Sequence, residues 1–219
     1  ILDAVRNGTR QLASEIADLT DYRGGPTTTE YLLTAAIART LLAAGHDTYV
    51  ERQYRKMCNM MVRKADVDSK QSFGGQRADV CVMLNSVRAV AVIEVKIGVS
   101  TFRKVKKDLL KILNLFSSMK PPHAQSLLGF SVFQIHIKQT EDRYLLEHFR
   151  SSHAARLASI SADLREFERE WPGFRFDLQQ IESGDDGLVA QELEWVEGEK
   201  TWGMPGHATR HAMIVVRSA

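Results

Sequence analysis

The chain has 219 residues, of which 44% are hydrophobic, and this suits one globular domain or one domain with an elaboration. No apolar run approaches the ~20 residues that a membrane-spanning helix needs, so we expect no membrane partner. The net charge is only +2, yet Lys and Arg exceed Asp and Glu by eight over 49–111, and the acids exceed the bases by eight over 141–200. A basic half favours a partner that carries phosphates, although two ordinary solvated surfaces would give the same pattern.

The cysteines bear on the compartment. Cys58 and Cys81 lack the spacing of a metal site, and Cys81 lies within an apolar strand pattern. They indicate reduced structural thiols, with a disulfide as the alternative. We therefore expect a cytoplasmic protein.

The N-terminal third predicts two helices and a strand. Apolar residues recur at helical spacing over 2–19, and the stretch 21–26 breaks the pattern. A second helix is predicted from a cap at Thr27 to Gly45, with a buried face made of Leu32, Leu33, Ala36, Ile37, Thr40 and Leu41. Residues 48–57 predict a largely polar, edge-like strand, and 58–76 a long polar connection.

The rest of the chain alternates strands and helices. Residues 79–84 and 89–97 predict two strands joined by a turn at Asn85-Ser86, the second apolar enough to be buried on both faces. A basic helix (101–119), a strand (128–137), a long helix (141–171) and strands within 174–196 and 211–216 follow. This order predicts an α/β domain with a mixed sheet flanked by helices. The β-rich tail is open to three roles: completing the core, forming a dimer or binding a regulator.

The chemistry is concentrated at the ends of the two hairpin strands. Glu94 and Lys96 are two residues apart and share a strand face, and the hairpin can bring Asp79 opposite them. Asp79, Glu94 and the backbone carbonyl of Val95 offer the oxygen ligands that Mg²⁺ or Mn²⁺ takes, and Lys96 could orient a nucleophile and stabilise developing charge. The alternative is a chance aspartate beside a Glu94–Lys96 surface salt bridge.

Glu30 has two interpretations that the sequence leaves open. It could join the site from the preceding helix, as an outer ligand or as a ligand to a second metal. The run Thr27-Thr28-Thr29-Glu30 also matches a capping box, in which the glutamate bonds back to the cap residue.

These residues together resemble the PD-(D/E)xK, or restriction-endonuclease-like, nuclease superfamily. The resemblance rests on Glu30 in an early helix, Asp79 opening a strand, Ile93-Glu94-Val95-Lys96 closing the next, and the basic helix after it. It covers about residues 27–137 and implies that family's αβββαβ core, to which 141–219 would add a long helix and a β-rich extension. It implies Mg²⁺-dependent (or Mn²⁺-dependent) phosphodiester hydrolysis, with Asp79 and Glu94 as metal ligands and Lys96 as the catalytic lysine. Ala78 stands where the motif's name has proline.

The basic residues around this set suggest a nucleic-acid surface. Arg103, Lys106 and Lys107 fall near one face of the predicted basic helix, and we expect Arg103 or Lys106 to contact phosphates, with Arg77 nearby. The alternative is a solvated amphipathic face.

Two functions from different classes follow. The first is a metal-dependent nuclease acting on DNA, in restriction, repair, mobile-element or toxin and defence settings. Because double-strand cutters often act as dimers, a homodimer is one arrangement we consider. The second is a catalytically silent module of the same fold that serves as a nucleic-acid- or protein-binding scaffold.

Overall fold

A computed structural model of the chain describes residues 1–20, 29–61, 75–86, 88–119, 121–138, 146–182, 188–189, 195–196, 199–200 and 207–219. In these ranges the helices are α1 Leu2–Thr20, α2 Glu30–Ala43, α3 Tyr54–Met61, α4 Phe102–Ser117, α5 Pro121–Ser126 and α6 Leu146–Glu170. The strands are β1 Asp47–Gln53, β2 Arg77–Leu84, β3 Arg88–Lys96, β4 Leu128–Lys138, β5 Phe174–Ile181, β6 Leu188–Val189, β7 Trp195–Val196, β8 Glu199–Lys200 and β9 His207–Ser218.

One mixed sheet organises the molecule. Six strands lie in the order β1-β2-β3-β4-β9-β5, and the two-residue β6 pairs with β9. β3 and β4 are parallel, and the other neighbours in this order are antiparallel. The predicted α/β class, with a mixed sheet flanked by helices, is therefore confirmed. Among the described helices, none combines the length and the apolar character that crossing a membrane requires.

The inner strands of the sheet are buried on both faces. Buried residues of α1 and α2 pack with Val80, Ile93 and Val95 on one face, and those of α4 and α6 pack with Cys81 and Val92 on the other. Because side chains alternate along a strand, Glu94 lies on the α4 face with Val92. The near-continuous apolar run of β3 thus reflects its position at the centre of the sheet.

The N-terminal elements differ from their prediction at three points, one of which is Leu32, predicted in the buried face of the second helix but 46% exposed. The predicted strand 48–57 ends at Gln53, and the chain turns into α3, whose Tyr54 and Met57 are buried because a spacing of three places them on one helix face. Helix α2 begins after Thr29, whose side chain accepts a hydrogen bond from the Leu32 amide. The predicted cap Thr27 and the predicted break lie outside the described residues, as does 62–74 of the predicted connection.

The remaining predictions hold in outline. Asn85 and Ser86 follow Leu84, which pairs with Arg88, and adopt positive φ values of 52° and 56°, the left-handed conformation that tight hairpin turns use. Cys81 is a free, buried thiol, as expected for a structural cysteine. The tail completes the core, because β9 lies between β4 and β5 and pairs with β4 from Gly129 to Lys138.

Candidate active site

The predicted site residues meet at one end of the sheet. Glu94 and Lys96 close β3, Asp79 is near the start of antiparallel β2, and Glu30 opens α2. The antiparallel pairing of β2 and β3 includes Val80↔Ile93, and continuing that register by one residue sets Asp79 opposite Glu94. Glu94 therefore lies opposite Asp79, and the two residues of the alternative surface salt bridge have other partners, Lys111 for Glu94 and Glu30 for Lys96.

The side chain of Asp79 takes the place of a backbone hydrogen-bond acceptor near the point where β2 and β3 separate. Its Oδ2 accepts a hydrogen bond from the Val95 N–H at 2.6 Å. Burial raises the pKa of Asp79, and this effect outweighs the hydrogen bond from Val95, which lowers it. The N–H and C=O of one strand residue face the same neighbour, so the Val95 carbonyl also lies on the Asp79 side.

Glu94 is the most enclosed acid of the site, with a residue exposure of 2%. Its Oε1 accepts a hydrogen bond from the Tyr54 hydroxyl at 2.5 Å, and its Oε2 accepts one from the Lys111 ammonium at 2.7 Å. Burial, with a smaller contribution from the charge of Asp79, raises the pKa of Glu94 to about 7, although the ammonium of Lys111 acts to lower it. Both carboxylate oxygens are thus held by named donors.

Lys111 and Asp108 also belong to the site, although neither was predicted from the sequence. Lys111 Nζ lies 3.0 Å from Asp108 Oδ1, so its ammonium bridges two acids. Burial by itself would lower the pKa of Lys111, but the charges and hydrogen bonds of Glu94 and Asp108 together raise it. The available signal was an acid and a lysine three residues apart, on one side of the helix that follows the motif.

Tyr54 was missed for a different reason. The prediction placed it in a strand, whereas it is the first residue of α3 and is wholly buried. Burial, and after it the charge of Glu94, raise the pKa of Tyr54 well above its ordinary value, so its hydroxyl stays protonated and acts as a donor.

Lys96 and Glu30 form an ion pair that joins β3 to α2. Lys96 Nζ lies 2.9 Å and 3.0 Å from the two carboxylate oxygens of Glu30. Burial lowers the pKa of Lys96, and the hydrogen bonds and charge of Glu30 more than reverse that effect. Because Thr29 caps α2, Glu30 is the first residue of the helix and not the third, which the capping box requires. The capping-box interpretation is therefore wrong.

The four predicted phosphate-contacting residues fall into two groups. Arg103 and Lys107 are exposed on α4. Lys106 Nζ instead lies 3.6 Å from Glu170 Oε2 and 5.0 Å from the centre of the Phe167 ring, which ties it to α6. Arg77 lies 3.9 Å from Glu51 across the β1–β2 pair. Arg103 and Lys107 are thus exposed, whereas Lys106 and Arg77 each lie near an acid.

The donor chemistry fits a hard cation. Within the described ranges, no group of three or more His, Cys, Asp or Glu side chains is placed to hold a metal ion. Mg²⁺ in phosphate chemistry is commonly held by one or two carboxylates, with water and substrate phosphate supplying the rest. Asp79, Glu94 and the Val95 carbonyl offer two carboxylates and one carbonyl, which fits that pattern.

The fold and the site together define an α/β protein with paired acids and a lysine at the end of a central strand. Comparison with protein-family models, with curated proteins and with solved structures finds no match in any of the three.

Proposed function

We propose that this protein is a divalent-metal-dependent nuclease that hydrolyses phosphodiester bonds in DNA. The observation that carries the proposal is the convergence of Asp79, Glu94 and Lys96 at one end of β2 and β3, with Asp79 bonded to the Val95 amide. The element order α2-β1-β2-β3-α4-β4 supports a restriction-endonuclease-like core, with α3 and α5 as additional short helices.

The residues have separate roles in this proposal. Asp79, Glu94 and the Val95 carbonyl would hold Mg²⁺ or Mn²⁺. When bound, such an ion polarises a phosphate and lowers the pKa of a bound water. Tyr54 holds the Glu94 carboxylate in place. Lys96, oriented by Glu30, presents an ammonium that can position the nucleophile and offset the negative charge that develops on the phosphate.

Charge supports a substrate that carries phosphates. Arg103 and Lys107 place two exposed cations on the helix that also carries Lys111, within a segment where bases exceed acids by eight. A phosphate backbone is the partner that such a surface attracts most strongly. We propose DNA as the substrate and a homodimer as the arrangement for cutting two strands.

The test is cleavage of plasmid and linear DNA in Mg²⁺ or Mn²⁺ by wild type, Lys96→Ala and Asp79→Asn, with Arg169→Ala, an exposed change outside the basic segment, as the control. We expect cleavage by wild type and by the control, and a loss of about 100-fold or more in the two site variants, since single electrostatic groups in such sites contribute that much. Cleavage that persists unchanged in Lys96→Ala contradicts the proposal.

A second candidate is a silent module of the same fold that binds nucleic acid. The observation that favours it is that Glu94 and Lys96 are both satisfied within the protein, by Tyr54, Lys111 and Glu30. This candidate predicts DNA binding without cleavage in either metal. It also predicts the same affinity in Lys96→Ala as in wild type.

A further inference from the structure

The Glu94 carboxylate already holds a cation, the Lys111 ammonium. Lys111 Nζ lies 2.7 Å from Glu94 Oε2, and the Tyr54 hydroxyl occupies Oε1. A divalent ion that coordinates Glu94 must therefore share an oxygen with one of these donors or displace it. Since a doubly charged ion repels an ammonium at this range, the arrangement around Lys111 decides how readily the ion enters.

Of the two donors, Lys111 is the one that can leave. Its side chain is 30% exposed and its four-carbon stem is flexible, whereas Tyr54 is wholly buried. Its Nζ is also within 3.0 Å of a second acceptor, Asp108 Oδ1, so a small movement would exchange one acid for the other.

Asp108 has the capacity to receive it. The residue is 5% exposed, and its Oδ2 is buried without a hydrogen-bond partner among the described residues. A buried carboxylate oxygen in that state is unfavourable unless a donor comes to it. Neither Asp108 nor Lys111 belongs to the acid–lysine motif, so the motif alone does not explain why they lie beside Glu94.

We propose that Lys111 is a positioning residue that neutralises Glu94 in the metal-free protein and moves onto Asp108 alone when a divalent metal binds. This exchange rests on the proposed function, because it takes Glu94 as a metal ligand. In the metal-free protein, Lys111 keeps Glu94 paired. Its competition with the ion for Glu94 then sets the metal affinity.

The test is titration of metal-free protein with Mn²⁺ by isothermal calorimetry, at about pH 8.5, where carboxylates are ordinarily ionised. Lys111→Met removes the competing ammonium, and we expect it to lower the Kd about fivefold or more. Asp108→Asn removes the receiving charge, and we expect it to raise the Kd by a similar factor. Lys56→Met, an exposed lysine on α3, removes the same charge elsewhere and should leave the Kd unchanged.

The outcomes separate this exchange from the proposed function. Thermal unfolding of each variant without metal establishes that it is folded, and if Lys111→Met does not fold, Asp108→Asn decides alone. Opposite shifts in the two variants support the exchange. Mn²⁺ binding that appears only in Lys111→Met rejects it, because Lys111 would then block the site in wild type and not move onto Asp108. Binding in wild type that is lost in Asp79→Asn, without opposite shifts, rejects the exchange and leaves the metal site standing. No binding in any variant rejects both.

Discussion

Glu94 is the residue in which burial and charge conflict most. An ionised carboxylate at 2% exposure is unfavourable unless it is paired and hydrogen-bonded. Tyr54 and Lys111 supply both kinds of contact, and they come from helices on either side of the motif in sequence. These contacts offset the cost of burying the charge only in part, because the pKa of Glu94 is still raised to about 7.

This raised pKa predicts a pH dependence of stability. Burial raises the pKa of Glu94 from 4.5 to about 7, so between these values the folded protein holds a proton that the unfolded chain has lost. The stability from this group is therefore fully present below 4.5 and is lost as the pH rises through 7. We expect the free energy of unfolding of metal-free wild type, relative to Glu94→Gln, to fall by on the order of 1–3 kcal/mol between about pH 5 and pH 7.5.

Urea denaturation of both proteins at the two pH values measures this difference. Burial lowers the pKa of both His153 and His211 from 6.5 to about 4. Between these pH values, the histidines make the protein more stable as the pH rises, which is the opposite of the effect of Glu94. The histidines are present in both proteins, so their contribution cancels in the comparison. A difference that stays constant with pH contradicts the prediction.

At the level of elements, α4 carries both packing and the site. Its residues Val105, Leu109 and Ile112 are buried against the sheet, while Lys111 reaches Glu94 and also bonds to Asp108 on the same helix. The helix lies very close to β4 at Gly129. A Cβ atom built there would overlap the side chain of Ile112 and would lie 3.2 Å from atoms of both Phe116 and Val216.

The added methyl group of Gly129→Ala should therefore push α4 away from the sheet or strain the packing between them. We expect a loss of about 1–3 kcal/mol in the free energy of unfolding, the usual effect of adding a methyl group to a packed core. Urea denaturation measures it. Gly173→Ala is the matched control, since nothing lies within 4 Å of a Cβ at that position. Equal losses in the two variants would show that the contact at Gly129 is not the cause.

At the level of the whole molecule, charge is divided between a basic and an acidic half of the sequence. Lys106 joins them, because it contacts Glu170 and the Phe167 ring of α6. Arg103 and Lys107 are exposed on the same helix, α4. If the basic half binds DNA through phosphates, those two residues should contribute to its dependence on salt.

The Arg103→Gln/Lys107→Gln double variant, made in the Lys96→Ala background to prevent cleavage, should bind DNA more weakly. Each phosphate contact that is removed lowers the slope of log affinity against log salt by about 1, so we expect a decrease of about 2. Fluorescence anisotropy at increasing salt measures the slope. Arg169→Gln, an exposed change on acidic α6, should leave it unaltered. The same slope in the double variant and its parent would exclude these two residues from the interface.

Several features could be predicted from the sequence because their causes are local. The period of apolar residues predicts α1 and α4, the near-continuous apolar run predicts β3, and Asn85-Ser86 predicts the hairpin. The hairpin in turn brings Asp79 opposite Glu94, since antiparallel pairing follows from the turn. The sequence by itself thus determined the α/β class and the central acids.

Only the tertiary structure decided the contacts that surround those acids. Lys96 and Glu30 are 66 residues apart, and Tyr54 and Glu94 are 40 apart, so no local pattern relates them. The hydroxyl of Tyr54 could not be placed while the residue was predicted in a strand, and Lys106 could not be told from Lys107 until α6 packed beside α4. The physical reason is burial at the centre of the sheet, because a buried carboxylate such as Glu94 requires a partner. The packing of the helices then determines which residue supplies that partner.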